Sequence, residues 1–234
     1  MRFHSYRGSF RSVAYSLTYL AATSVRHSST AYVLRRPPAS APREVPTPLV
    51  FVSASSWDPR SQHGMRMFAS MFAERGFTCM EIDLAAPDEA TTSEDLMQHY
   101  EDELSANIRL AAIPFPPVIL ARGSGALIAQ TYISSHPASG LLLISPPVSN
   151  AELSSGSTGI LSGQPLLPTP LREFDFEPKF PCAILCSQEE EAQMAKNRLW
   201  RDEGVDKFVV RNRDGLAGQD GFVKIEQWLD EIGV

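Results

Sequence analysis

From residue 48 onward the chain alternates short, unbroken apolar runs with longer segments in which apolar residues return every three or four positions. Unbroken runs suit strands buried on both faces, and the longer spacing suits helices that cover them. Six strands are predicted on this basis: Pro48–Ala54 (PLVFVSA), Phe77–Leu84 (FTCMEIDL), Val118–Ala121 (VILA), Gly140–Pro146 (GLLLISP), Cys182–Ser187 (CAILCS) and Lys207–Asn212 (KFVVRN). Helices are expected in GMRMFASMFAERG, stopping at Gly76, and from about Ser93 to about Ala112, where Pro114, Pro116 and Pro117 follow. Two more fall in SGALIAQTYISSH and GFVKIEQWLDEIG. Strand and helix alternating in this way implies an α/β domain of three layers around a mainly parallel sheet of about six strands.

Charge divides the chain differently. The first 43 residues hold seven arginines (Arg2, Arg7, Arg11, Arg26, Arg35, Arg36, Arg43) and no acid, so all 27 carboxylates lie from Glu44 onward. A basic leader rich in Arg and Ser, free of acids and weakly amphipathic, is similar to a mitochondrial transit peptide, here residues 1–30, with a mature start near Ser28. Mitochondrial location, in the matrix, is the expectation. Its apolar stretch Val13–Ala22 is broken by Tyr, Ser and Thr and is too short to span a membrane. Residues 31–46 carry Pro37, Pro38, Pro42 and Pro46 and read as an extended linker, which leaves 47–234 as the folded domain.

Composition narrows the function classes. At 43% apolar residues and 21% charged, the material suffices for one sizeable core. An acidic domain would meet phosphates against its own field, which argues against nucleic acid. Cys79, Cys182 and Cys186 are odd in number, and the latter two share one face of a strand with no histidine or further cysteine beside them. They read as buried thiols, and neither a disulfide framework, a metal site nor a cofactor is expected.

PLVFVSASSWDPRS, FAERGFTCMEIDLAAP, PVILARGSGALIAQTYISSHP, GLLLISPP and FPCAILCSQEEE occur in an order and spacing that resembles the α/β-hydrolase superfamily over roughly residues 46–233. The resemblance implies a nucleophile elbow between the third predicted strand and its helix, of the form small-x-nucleophile-x-small, because the turn leaves no room for larger neighbours. With Ser124 as nucleophile the small positions would be Arg122 and Ala126, and arginine is wrong for a crowded turn. With Gly123 at the apex they are Ala121 and Gly125, which fit, and the helix phase from Leu127 agrees. In that register the attacking hydroxyl is absent, and Ser124 opens the helix as a cap or solvent contact.

The remaining machinery implied by the resemblance departs as well. The loop after the last strand, RNRDGLAGQDG, should supply the catalytic histidine and has none. His4 and His27 lie in the leader. His136 suits a helix C-terminus, His99 a solvated face among carboxylates, and only His63 could approach the elbow. Glu189 or Glu190 occupies the place of the triad acid, though adjacent carboxylates also favour a helix start. Ser53 and Ala54 replace the usual His-Gly of the oxyanion loop, where a backbone N–H could still be offered. Between the fourth and fifth predicted strands lies a Ser-, Gly- and Pro-rich stretch in place of a substantial cap domain; its Phe174 and Phe176, in LREFDFEP, offer either a surface motif for a partner or, the favoured reading, packing on the domain's own core. Two readings follow: a degenerate, non-catalytic member that binds or scaffolds a protein partner or a small apolar ligand, or a divergent serine hydrolase, esterase- or thioesterase-like, with Ser124 attacking, Glu189 or Glu190 as acid and His63 as base.

Overall fold

The computed structural model describes residues 30–154 and 165–234. Residues 1–29 of the leader and its proposed cleavage point, with His4 and His27, lie outside the described residues. Within them the six expected strands form, joined by a seventh. In chain order the strands are β1 (Ala31–Arg35), β2 (Val45–Ser53), β3 (Phe77–Asp83), β4 (Val118–Arg122), β5 (Gly140–Ile144), β6 (Cys182–Ser187) and β7 (Val205–Val210). They make one sheet in the order β1-β3-β2-β4-β5-β6-β7. Every pair is parallel except β1 with β3.

The added strand corrects the reading of residues 31–46 as a linker. Ala31 to Arg35 pair with Asp83 to Cys79, and an ion pair joins Arg35 to Glu81 across the two strands. β2 likewise starts at Val45, ahead of the proline pair that bounded the expected strand. The prolines that suggested a linker begin only at Pro37; AYVLR itself has the branched and aromatic residues that suit a sheet edge.

Helices cover both faces. α1 (Met65–Glu74) and α7 (Gln219–Glu231) pack Phe68, Phe72, Phe222 and Trp228 against Phe51, Leu120 and Leu142. On the other face α2 (Ser93–Leu110) and α3 (Gly125–Ser135) bury Leu96, Tyr100, Leu104 and Ile128 against Val50, Ile119 and Leu143. The alternation of these two sets along β2 and β5 is the period-two geometry of a strand buried on both sides. Short helices α4 (Asn150–Ser154), α5 (Gln188–Met194) and α6 (Arg198–Arg201) complete the chain. Among the described residues nothing forms a cap domain, and no helix is long and apolar enough to cross a membrane. Phe174 and Phe176 pack against the core, the latter under the Arg198 guanidinium at 4.8 Å.

Candidate functional site

Parallel strands bring their C-terminal ends to one rim, and the loops that leave them enclose a cavity of about 650 Å³. Its floor is the turn from β4 into α3. Gly123 stands at the apex with φ +56, a left-handed conformation that glycine reaches without steric cost. Its N–H continues the ladder to the Ile144 carbonyl at 3.0 Å. A hypothetical Cβ on Gly125 would meet the Val52 carbonyl oxygen at 3.4 Å, an ordinary contact, and Ala121 is wholly buried, so the positions two before and two after Gly123 both face the packed interior. Arg122 points to one side, its Nη1 donating to the His63 carbonyl at 3.1 Å. Burial lowers its pKa, and the nearby Glu190 carboxylate opposes that shift.

Ser124 follows the apex and is 1% exposed. It was expected to cap α3 or meet solvent, and it does neither: its Oγ has no hydrogen-bond partner. The backbone is differently placed. Ser124 donates its N–H to Asp58 Oδ2 at 3.2 Å, and Asp58 is itself buried, 3% exposed. Asp58 ends the loop after β2, where it caps the 3₁₀ turn Pro59–Gln62 by accepting from the Arg60 amide and pairs with the Arg60 Nε, both at 3.1 Å. The amide after the apex is the donor that an acyl-transfer site of this geometry would aim at an oxyanion. Here a carboxylate of the chain already holds it.

The second expected donor is also committed, which corrects the reading of Ser53 and Ala54 as a residual oxyanion loop. Ala54 donates its N–H to Ser61 Oγ at 3.0 Å, and Ser61 Oγ donates to the Asp58 carbonyl at 2.6 Å. Asp83, at the end of β3, gathers the rest of the loop by accepting from Ser53 Oγ at 3.1 Å and from the Ser55 amide at 2.7 Å. One acceptor within the loop, Asp58, and one from the neighbouring strand, Asp83, hold the loop closed.

His63 lines the same cavity as Ser124, but the absence of any partner at Ser124 Oγ means that no imidazole is within hydrogen-bond reach of it. Glu190 also lines the cavity; its Oε2 accepts from Ser145 Oγ at 2.7 Å and from the Ser187 amide at 3.2 Å at the start of α5. The loop after β7 brings Arg213, whose Nε lies 3.5 Å from both Glu189 Oε2 and Glu190 Oε1. An arginine therefore faces the carboxylates from the loop where the fold was expected to deliver a histidine. The walls are largely apolar, with Pro146, Pro147, Val148, Leu153 and Met194. Ser145 adopts φ +44 at the end of β5, a strained conformation for a residue with a Cβ, and its hydroxyl is held by Glu190.

His99 and His136 sit away from this cavity. His99 is not merely solvated, since its Nε2 meets the Ala85 carbonyl at 3.2 Å. Among the described residues no group of three or more His, Cys, Asp or Glu side chains is arranged to hold a metal ion. Sequence reasoning passed over Asp58, Asp83 and Arg213; the pair Asp58–Pro59, a capping residue ahead of a proline, carried a local signal for the turn but none for the contact with Ser124.

No family model matches the sequence, and no curated protein matches it. Solved structures do resemble it in fold. An esterase from Thermogutta terrifontis aligns with TM-score 0.61 and 12% identity over 88% of this chain and 94% of that one. The esterase RhEst1 from a Rhodococcus species gives 0.60 and 12% over 87% and 95%. MenH from S. aureus gives 0.57 and 13% over 87% and 99%. These proteins share the α/β-hydrolase fold, and at this identity the fold is what the likeness shows.

Proposed function

We propose that this chain, built on the α/β-hydrolase fold, is a non-catalytic member that uses the cavity above the former elbow to bind a small apolar ligand or an apolar side chain of a protein partner. The observation that carries this reading is the occupation of the Ser124 amide by the Asp58 carboxylate beside an apex that is glycine. Acyl transfer needs a nucleophile, a base and a donor for the developing negative charge. At this turn the apex side chain is absent, the adjacent hydroxyl has no base, and the donor faces a negative charge. A hydrolase using Ser124 with His63 and Glu189 or Glu190 would need all three relations rebuilt.

The volume and the mostly apolar wall suit a small ligand, and Arg122, Ser145 and Glu190 supply a few polar anchors. The basic leader supports import into mitochondria, with the domain acting in the matrix.

Two experiments test this. Peptide mapping after exposure to a fluorophosphonate is expected to find no adduct on Ser124, and an adduct there would overturn the non-catalytic reading of the elbow. Residues 1–30 fused to a fluorescent protein are expected to co-localise with mitochondria; diffuse cytosolic fluorescence would reject the import signal.

A further inference from the structure

Far from the cavity, where the C-terminus of α3 meets the middle of α2, three side chains stand in a row. Ser105 Oγ lies 3.1 Å from His136 Nε2, and His136 Nδ1 lies 3.4 Å from Glu101 Oε1. Ser135 stands between the last two: its Oγ is 2.8 Å from His136 Nδ1 and hydrogen-bonds to Glu101 Oε1. Its contact with the Tyr132 carbonyl is longer, 3.3 Å. The Tyr132 ring stacks on the imidazole, with centroids 4.5 Å apart and planes within 7°. Glu101 is buried, while Ser105 and His136 are half-buried and open to solvent.

For an ionised Glu101 and a neutral imidazole, donor accounting assigns the proton positions. An ionised carboxylate only accepts, so the single Ser135 hydroxyl proton goes to Glu101. Ser135 Oγ must then accept from His136 Nδ1–H. In the neutral ring Nε2 is left without a proton and accepts from Ser105 Oγ–H. That is the tautomer in which an imidazole removes a proton from a serine, with a carboxylate behind it to stabilise the imidazolium.

We propose that Ser105 is a reactive nucleophile, activated by His136 with Glu101 and Ser135 as positioning residues, and that it is a site of covalent modification by activated acyl or phosphoryl donors such as thioesters and fluorophosphonates. With a thioester, Ser105 Oγ bonds to the carbonyl carbon, its proton passes to His136 Nε2, and the C–S bond breaks as the thiolate leaves and takes that proton. The product is an ester on Ser105. Ser105 lies inside α2, where backbone N–H groups are committed to the helix, so its own main chain offers no oxyanion donor. The leaving group must supply the driving force, which favours stoichiometric capture over turnover.

The test is the rate of fluorophosphonate adduct formation at each serine of the full chain, followed by intact mass and peptide mapping. In this reaction Oγ–P forms, P–F breaks, fluoride leaves and the serine proton goes to His136. The adduct is expected on Ser105, absent in Ser105→Ala, retained in Ser124→Ala and slowed about 100-fold in His136→Gln. The same peptide in urea-unfolded wild type sets the rate of an unactivated serine. A Ser105 rate in the folded protein no faster than this background, or a slowing below tenfold in His136→Gln, would overturn the proposal and leave the row as a structural tie between α2 and α3. Because the readout is assigned serine by serine, labelling of Ser105 and labelling of Ser124 bear on separate conclusions.

Discussion

The amide of Ser124 and the carboxylate of Asp58 form a buried hydrogen bond of 3.2 Å that ties the first turn of α3 to the loop after β2. The same carboxylate also caps the 3₁₀ turn and pairs with Arg60. Asp58→Ala therefore leaves a buried amide without a partner and uncaps a turn in one step. The expected loss is about 1–3 kcal/mol, read as a lower urea midpoint with an unchanged slope. A midpoint equal to wild type would show that the contact contributes nothing to the fold.

Gly123→Ser places a hydroxyl at the apex but leaves the surroundings of the turn unchanged. A Cβ at this position would lie 3.2 Å from Asp58 Oδ2, and φ +56 costs a residue with a side chain about 1–2 kcal/mol. The variant is expected to be less stable than wild type and to hydrolyse p-nitrophenyl acetate no faster. Asp58→Asn combined with Gly123→Ser removes the negative charge, yet still lacks a base from the loop after β7, where Arg213 faces Glu190. Saturable turnover in either variant would contradict the account of the elbow.

The six parallel strands and the four longer helices were legible because strands of a parallel sheet carry apolar runs, and a covering helix writes its own spacing. Edge strand β1 was not: solvent covers one side of AYVLR, and the prolines just beyond it dominated the composition. The positive φ of Gly123 suits the register that the small neighbours Ala121 and Gly125 and the helix phase from Leu127 favour, all of them local in the chain. Asp58 could not be read in this way, because its partner lies 66 residues away and nothing in WDPRS distinguishes a turn cap from a carboxylate that also meets Ser124. Ser105 and His136 escaped notice for the same reason: the helix-end role of His136 is local, whereas its alignment with Ser105 and Glu101 arises only when α2 and α3 pack.

The three thiols link the core to pH. Burial pushes Cys182 and Cys186 up to about 12 and Cys79 higher, from the ordinary thiol value of 9.0. A folded-state pKa above the unfolded one means that the unfolded chain loses its protons first as pH rises. Stability is thus fully present below about pH 9 and falls between about 9 and 12, by up to about 1.4 kcal/mol per pH unit for each thiol. Urea unfolding at pH 8, 9 and 10 should show this decline, and Cys186→Ala should make it shallower. An identical slope in the variant would mean that other groups govern the alkaline limb.

Two glycines with positive φ separate backbone strain from collision. Gly76 follows α1 with φ +106, and a Cβ there would sit 2.0 Å from the Arg43 carbonyl oxygen, which cannot move aside because the next turn of chain is fixed by the Val45 N–H donating to the Gly76 carbonyl at 2.8 Å. Gly233 has φ +78 and open space around it. Gly233→Ala is expected to cost only the strain of a left-handed residue, about 1–2 kcal/mol at most and less if the chain end relaxes. Gly76→Ala adds a backbone clash between α1 and the start of β2, and is expected to cost more than about 3 kcal/mol. Thermal melts of the two variants should differ accordingly; equal melting temperatures would show that the Arg43 segment yields, and that β2 is not fixed at its first residue.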